Sequence, residues 1–175
     1  MKHATNLHKA KDILSLIKEQ HDTLRESIVI LTNDGADPVQ KQDCLAKFIN
    51  LLTMHAEAEE QTIYEVLKDI RASELTTLEA IEEHTVAKNL VQELEDADYK
   101  SYWNSHIAAK AKVLADIVDH HAKEEEDVFF KEARALLTKE ELINLGEEFE
   151  IKCKELKEGI NIPLHSPNYG INHFV

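Results

Sequence analysis

Breakers are scarce in this chain, and that scarcity constrains its fold more than anything else. Its 175 residues hold four glycines and three prolines. A sandwich or barrel of short strands needs a turn about every ten residues, and the turn chemistry for it is missing. Alanine, leucine, glutamate and lysine dominate instead, which favours helices. With 43% hydrophobic and 31% charged residues, the composition is that of a globular protein rather than a disordered one. The length suits one domain, 1–175, with a core of its own.

The few breakers divide the chain into long runs. The first goes from about Ala10 to Leu31 and stops at Asn33-Asp34-Gly35-Ala36-Asp37-Pro38, a strong turn. Asp37-Pro38 also opens the second run, with aspartate as cap and proline in the first turn, and this run continues to about Arg71. Ser73 is placed to cap a third run reaching about Asp98. A corner at Tyr99, Tyr102 and Trp103 precedes a fourth, from about Asn104 to Leu137. Thr138-Lys139-Glu140-Glu141 has capping-box spacing and starts a fifth helix that ends at Gly159. Four long helices with short links predict an all-α, antiparallel up-down-up-down four-helix bundle. Its core covers about 10–137, and an additional C-terminal helix and irregular tail occupy 138–175.

Each bundle helix interrupts its apolar stripe at mid-run. In the first, Ile13, Ile17, Leu24, Ile28 and Leu31 follow helical steps, and His21 fills the gap. In the second, Leu45, Phe48, Leu52, Ile63 and Val66 flank His55 and Glu59. Leu78, Ile81, Val91 and Leu94 flank His84 in the third. In the fourth, Leu114, Val118, Val128 and Phe129 flank His121 and Glu125. Residues four apart share a face, so each glutamate joins its histidine, and mid-run positions of antiparallel helices meet at one level. Four imidazoles and two carboxylates then converge.

Burying these groups uncompensated costs several kcal/mol per charge. A bound cation removes that cost, because its ligands are deprotonated and neutralised on binding. Imidazole and carboxylate donors suit iron, manganese or zinc and do not make a thiolate site. Six ligands fit two ions better than one. In the fourth helix a second stripe, through Val113, Ile117, His120 and Glu124, competes with that of His121. Whichever histidine is not a ligand becomes an outer partner or an interface residue.

These motifs resemble the hemerythrin-like, or HHE cation-binding, family of four-helix di-iron proteins. The matching segments are His21-Asp22, His55-Ala56-Glu57-Ala58-Glu59-Glu60 before Ile63-Tyr64, and Glu83-His84. On the fourth helix His120-His121-Ala122-Lys123-Glu124-Glu125-Glu126 precedes Phe129-Phe130, and Leu145-Gly146 is similar to the family's tail. An aromatic pair eight and nine residues after a histidine is usual in this family. Counting back from Phe129-Phe130 selects His121, as Ile63-Tyr64 selects His55. The resemblance implies that His21, His55, Glu59, His84, His121 and Glu125 hold two iron ions, with Glu59 and Glu125 as the bridging pair.

Two departures separate the chain from the oxygen-carrying hemerythrins. Where their third helix offers a second histidine four residues on, this chain has Lys88. Where they place an aspartate five residues after the fourth-helix histidine, it has glutamates at both four and five. The missing imidazole implies an open coordination position. The expected role is therefore to bind oxygen, nitric oxide or peroxide for sensing, detoxification or iron handling, rather than to store oxygen reversibly. A peroxidase-like or nitric-oxide-reducing enzyme is the alternative, and a metal-free helical scaffold a further one. A ferritin-like oxidase is disfavoured, since such proteins need Glu-x-x-His. Lys18, Leu52, Ile81 and Val118 stand three before the four histidines.

The remaining features narrow the setting. Twenty basic against thirty-four acidic residues give a net charge of -14, which argues against nucleic acid and anionic membrane as partners. No signal-peptide core or membrane-length stretch is present, and Cys44 and Cys153 form no framework, so a cytoplasmic location is expected. His3, His8, His165 and His173 read as solvated, and His106, roughly 22 Å along the helix from His121, is too far to share the site. In the acidic run Glu124-Glu125-Glu126-Asp127 only Glu125 is expected to face inward. Tyr64 and Phe130 read as packing near the site. The Tyr102-Trp103 patch and the tail with Tyr169 and Phe174 are candidate homo-oligomer contacts.

Overall fold

A computed structural model describes residues 10–159 of the chain. His3, His8, His165, His173 and the tail from Asn161 lie outside the described residues. Among those described, all regular structure is helical: α1 (Ile13–Leu31), α2 (Pro38–Glu60), α3 (Ile63–Leu67), α4 (Glu74–Asp96), α5 (Ser105–Glu124), α6 (Phe130–Leu136) and α7 (Lys139–Gly159). A π-helical turn, Glu125–Phe129, joins α5 to α6 without a break. No described helix is long and apolar enough to cross a membrane.

Local chemistry sets most boundaries. The Asp12 carboxylate accepts from the Ser15 backbone amide and caps α1, so this helix starts at Ile13 rather than at about Ala10. Asp37 accepts from the amides of Val39 and Gln40 ahead of Pro38. Asn104 accepts from His106 and Ile107 to open α5. The capping box is reciprocal, with Glu141 accepting from the Thr138 amide at 2.7 Å and the Glu141 amide donating to the Thr138 hydroxyl at 3.2 Å. Ser73 behaves differently from expectation. Its hydroxyl donates back to the Leu67 carbonyl and closes the preceding turn instead of capping α4.

Two runs are interrupted where periodicity read straight through. The second breaks at Gln61-Thr62, where Thr62 leaves helical dihedrals and its hydroxyl donates to the Ala58 carbonyl at 2.6 Å. The restart turns Ile63, Tyr64 and Leu67 inward and leaves Val66 exposed. In the fourth run the π turn brings Phe129 and Phe130 inside together and leaves Val128 exposed. Leu78 is exposed too, because α4 buries Thr77, Ala80 and His84 instead. These three apolar residues are corrections to the expected core.

α1 packs on α2, α5 and α7, while α4 packs on α5 and α2. Their apolar faces form two separate clusters. One gathers Ile13, Ile17, Ile63, Tyr64, Phe129 and Phe149; the other gathers Leu24, Phe48, Leu52, Val91, Leu114 and Val118. Each large side chain fully buried there contributes about 1.5–3 kcal/mol of transfer free energy. α7 lies on α1 and α2, held close by Gly146. A Cβ at this glycine would collide with the Lys11 carbonyl. Between the two clusters lies a layer of buried polar residues.

Candidate metal centre

All six residues singled out in the sequence lie in that layer. His21, His55, Glu59, His84, His121 and Glu125 are each at most 5% exposed. His21, His55, Glu59 and Glu125 bring one donor atom each within 4.8 Å of one another, and Glu59, His84 and His121 do the same. Glu59 belongs to both groups: its Oε1 lies 3.2 Å from His55 Nε2 and its Oε2 3.4 Å from His84 Nε2. Glu125 Oε2 lies 3.2 Å from His21 Nε2, and its Oε1 accepts the Tyr64 hydroxyl at 2.9 Å. His120, the competing histidine of the fourth helix, is exposed and pairs with Glu124 at 3.5 Å.

Every imidazole is gripped from behind. His21 Nδ1 meets Glu126 at 3.0 Å, His55 Nδ1 meets the Gln20 carbonyl oxygen at 3.0 Å, His84 Nδ1 meets Glu60 at 2.9 Å and His121 Nδ1 meets Glu83 at 2.7 Å. A carboxylate or amide oxygen only accepts, so each Nδ1 carries the proton and donates. In the neutral ring each Nε2 then presents a bare lone pair to the interior. The partners form a closed circuit. Gln20 precedes His21 on α1 and holds α2's His55; Glu60 follows Glu59 on α2 and holds α4's His84. Glu83 precedes His84 on α4 and holds α5's His121, and Glu126 follows Glu125 and holds α1's His21.

Inside this circuit, lone pairs face lone pairs. His84 Nε2 and His121 Nε2 are 3.1 Å apart. The Nε2 atoms of His21 and His55, both oxygens of Glu59 and Oε2 of Glu125 are buried without a hydrogen-bond partner. Buried polar atoms are normally satisfied, and an ionic group left unpaired costs more than a neutral one. The chemistry of the donor set therefore fits a cation, which accepts lone pairs from all of them.

The electrostatics follow the same layout. Burial, reinforced by the charge of Glu125, pushes the Glu59 carboxyl well above the usual range. For Glu125, burial also pulls upward, but the surrounding imidazoles, His21 foremost, outweigh it and hold it low. Burial drives His55 well below an ordinary histidine, and the neighbouring imidazoles, His21 foremost, add to it. His84 is lowered by burial against the pull of Glu60. For His121 burial opposes but the Glu83 bond prevails, and the ring is raised. Burial and the Glu125 charge push the Tyr64 phenol well up, so it remains a donor.

Several functional side chains escaped the sequence reading. Glu126, in a run expected to form a solvated face, instead holds His21 and accepts from Arg25 at 2.7 Å. Lys88, noted only as a missing histidine, donates to both oxygens of Glu60 at 2.9 Å. Gln20, Glu60 and Glu83 were not singled out as partners. A signal existed, since each partner sits beside a ligand in sequence and a helix turns about 100° per residue, aiming that neighbour at the next helix. Phe130 stacks on the His21 ring at 6.3 Å and Tyr64 on His84 at 5.5 Å. His106 is exposed and stands clear of the layer.

Residues 12–133 match the family described as the hemerythrin HHE cation binding domain. The chain belongs to that family. The hemerythrin match takes in all six inward residues and stops within α6, leaving α7 beyond it. A DNA nickase of Nostoc sp. is a more distant relative, 26% identical over 147 residues, which are 84% of this chain and 40% of that protein. The chain thus spans well under two thirds of that relative's length. No solved structure matches it. Membership of a cation-binding family and the clustered His and Glu side chains together make this a metal-binding domain in kind.

Proposed function

We propose that this chain is a hemerythrin-like protein whose buried layer holds two non-heme iron ions. His21, His55, Glu59 and Glu125 serve one position, and Glu59, His84 and His121 the other. Glu59 and Glu125 would be the bridging pair, a role supported by the membership of Glu59 in both donor groups. The carrying observation is the pair of facing Nε2 atoms at 3.1 Å, each ring held by an outward Nδ1 hydrogen bond. Outer partners of this kind fix the tautomer and raise ligand basicity. In this reading α1, α2, α4 and α5 with its continuation form an antiparallel four-helix bundle, with α7 lying outside.

The iron pair supplies a site where oxygen, nitric oxide or peroxide binds. The protein's own contribution is positional. The circuit of outer partners orients the imidazoles, the two apolar clusters exclude water, and Tyr64 donates a hydrogen bond to Glu125. The second imidazole lacking on α4 leaves the His84 side short of a ligand, which favours sensing, detoxification or iron handling over oxygen storage. Manganese and zinc also suit these donors. The nicking activity of the Nostoc relative is not carried over, because the net charge of -14 repels a phosphate backbone. The expected setting is cytoplasmic.

Anaerobic loading with ferrous iron, followed by elemental analysis and absorption spectra in oxygen and in nitric oxide, tests the proposal. The expected result is two irons per chain and ligand-to-metal bands that His84→Ala weakens. A chain that takes up no iron would overturn it. One observation favours an enzyme as a second reading, namely the phenol of Tyr64 in hydrogen-bond contact with Glu125. That reading requires turnover of peroxide or nitric oxide that drops in Tyr64→Phe while iron content is kept.

A further inference from the structure

A way into the buried layer lies along the α4–α5 seam. A cavity of about 120 Å³ runs from exposed residues, Glu79, Glu124 and Val128, to the buried His121 and Glu125. Glu125 is 3% exposed, and its Oε2 has no hydrogen-bond partner. A larger groove of about 430 Å³ lies alongside it, lined by Val86, Val113 and His120 among others, and the two share Glu83. Where they meet, Glu83, His120 and Glu124 each bring one donor atom within 4.8 Å of the others. No lysine or arginine lines either cavity among the described residues.

We infer that Glu83, His120 and Glu124 form a receiving site for a divalent cation, which passes through this cavity to the buried centre. The inference rests on the reading of that centre as a metal site. Three features carry it. One imidazole and two carboxylates are a donor set for a borderline divalent ion. The mouth carries only negative charge, from Glu79, Glu83 and Glu124, and such a cleft concentrates cations while repelling anions, raising capture rates 10- to 1,000-fold. A neutral diatomic ligand gains nothing from that charge. Finally, the inner end of the cavity is lined by His121 and Glu125, two buried members of the donor layer. Glu83 spans the two ends, because it lines both cavities and also holds His121 Nδ1.

The test loads the metal-free full chain with cobalt(II) alone, following the visible band of the buried centre by stopped flow. His120→Ala combined with Glu124→Gln removes two of the three receiving donors, and both side chains are more than half exposed, so folding is not at stake. The expected outcome at low ionic strength is filling slowed at least about tenfold, with the same final cobalt content. Added salt slows the wild-type chain steeply and the double variant little. Glu148→Gln, on an exposed face of α7, controls for net charge and fills at the wild-type rate. Equal rates in the double variant and wild type would overturn the receiving site while leaving the buried centre standing. A wild-type chain that binds no cobalt would instead overturn the centre, and the receiving site with it.

Discussion

The apolar cluster around Phe48, Val91 and Leu114 and the polar layer beside it are built on the same helices, α1, α2, α4 and α5. In the cluster each side chain is satisfied by contact with its neighbours, so volume matters and identity less. In the layer each imidazole is bonded outward through Nδ1, while the Nε2 atoms of His21 and His55 have no partner and those of His84 and His121 face each other. One region stabilises the fold on its own; the other is a cost until a cation arrives. The helices carry both because the apolar cluster on either side of the layer holds the donors together against their mutual repulsion.

The largest expected effect that would break this contrast is Glu59→Leu. It removes the carboxylate common to both donor groups, and metal content should fall to near zero. Stability of the metal-free chain should stay level or rise, since replacing buried charge by apolar volume is neutral or stabilising by about 1–4 kcal/mol. Elemental analysis and thermal melts check this, and retention of wild-type metal content would refute it. Phe48→Ala tests the other region. It should cost about 3–5 kcal/mol in denaturant unfolding with metal content per folded chain unchanged.

Smaller effects sharpen the picture. Glu60→Ala leaves His84 without its outer partner, and metal affinity in a chelator competition should weaken about 10- to 100-fold. An unchanged affinity would mean that the circuit of outer partners is packing and nothing more. Thr138→Ala removes the capping box of α7 and should cost about 1 kcal/mol, with no change in metal content. A loss of metal in that variant would tie α7 to the centre, through the bond from Gln20, His55's partner, to the Cys153 sulfur.

The helices were legible because their signals are local. Asp37-Pro38, Asn104 and the Thr138–Glu141 box act within three residues of themselves. The inward residues were legible because periodicity is local too: a histidine inside an apolar stripe points where the stripe points. Thr62 and the π turn at Glu125–Phe129 were not, and the misplacing of Val66 and Val128 follows from them. Both breaks are local in form, yet no Gly or Pro marks them, and packing across helices sets the register that follows. The outer partners were hidden for a related reason. Glu60 and Glu126 look like members of ordinary acidic runs until the neighbouring helix is in place.

By itself the amino-acid order determined a chain of long helices that must bury four imidazoles and two carboxylates at one level, since breaker spacing and helical period leave little choice. Only the tertiary structure decided which ring nitrogen faces inward. That choice belongs to the partner on Nδ1, and each partner comes from another helix, 24 to 105 residues away in sequence. A hydrogen bond depends on distance and direction in space, which no local pattern records.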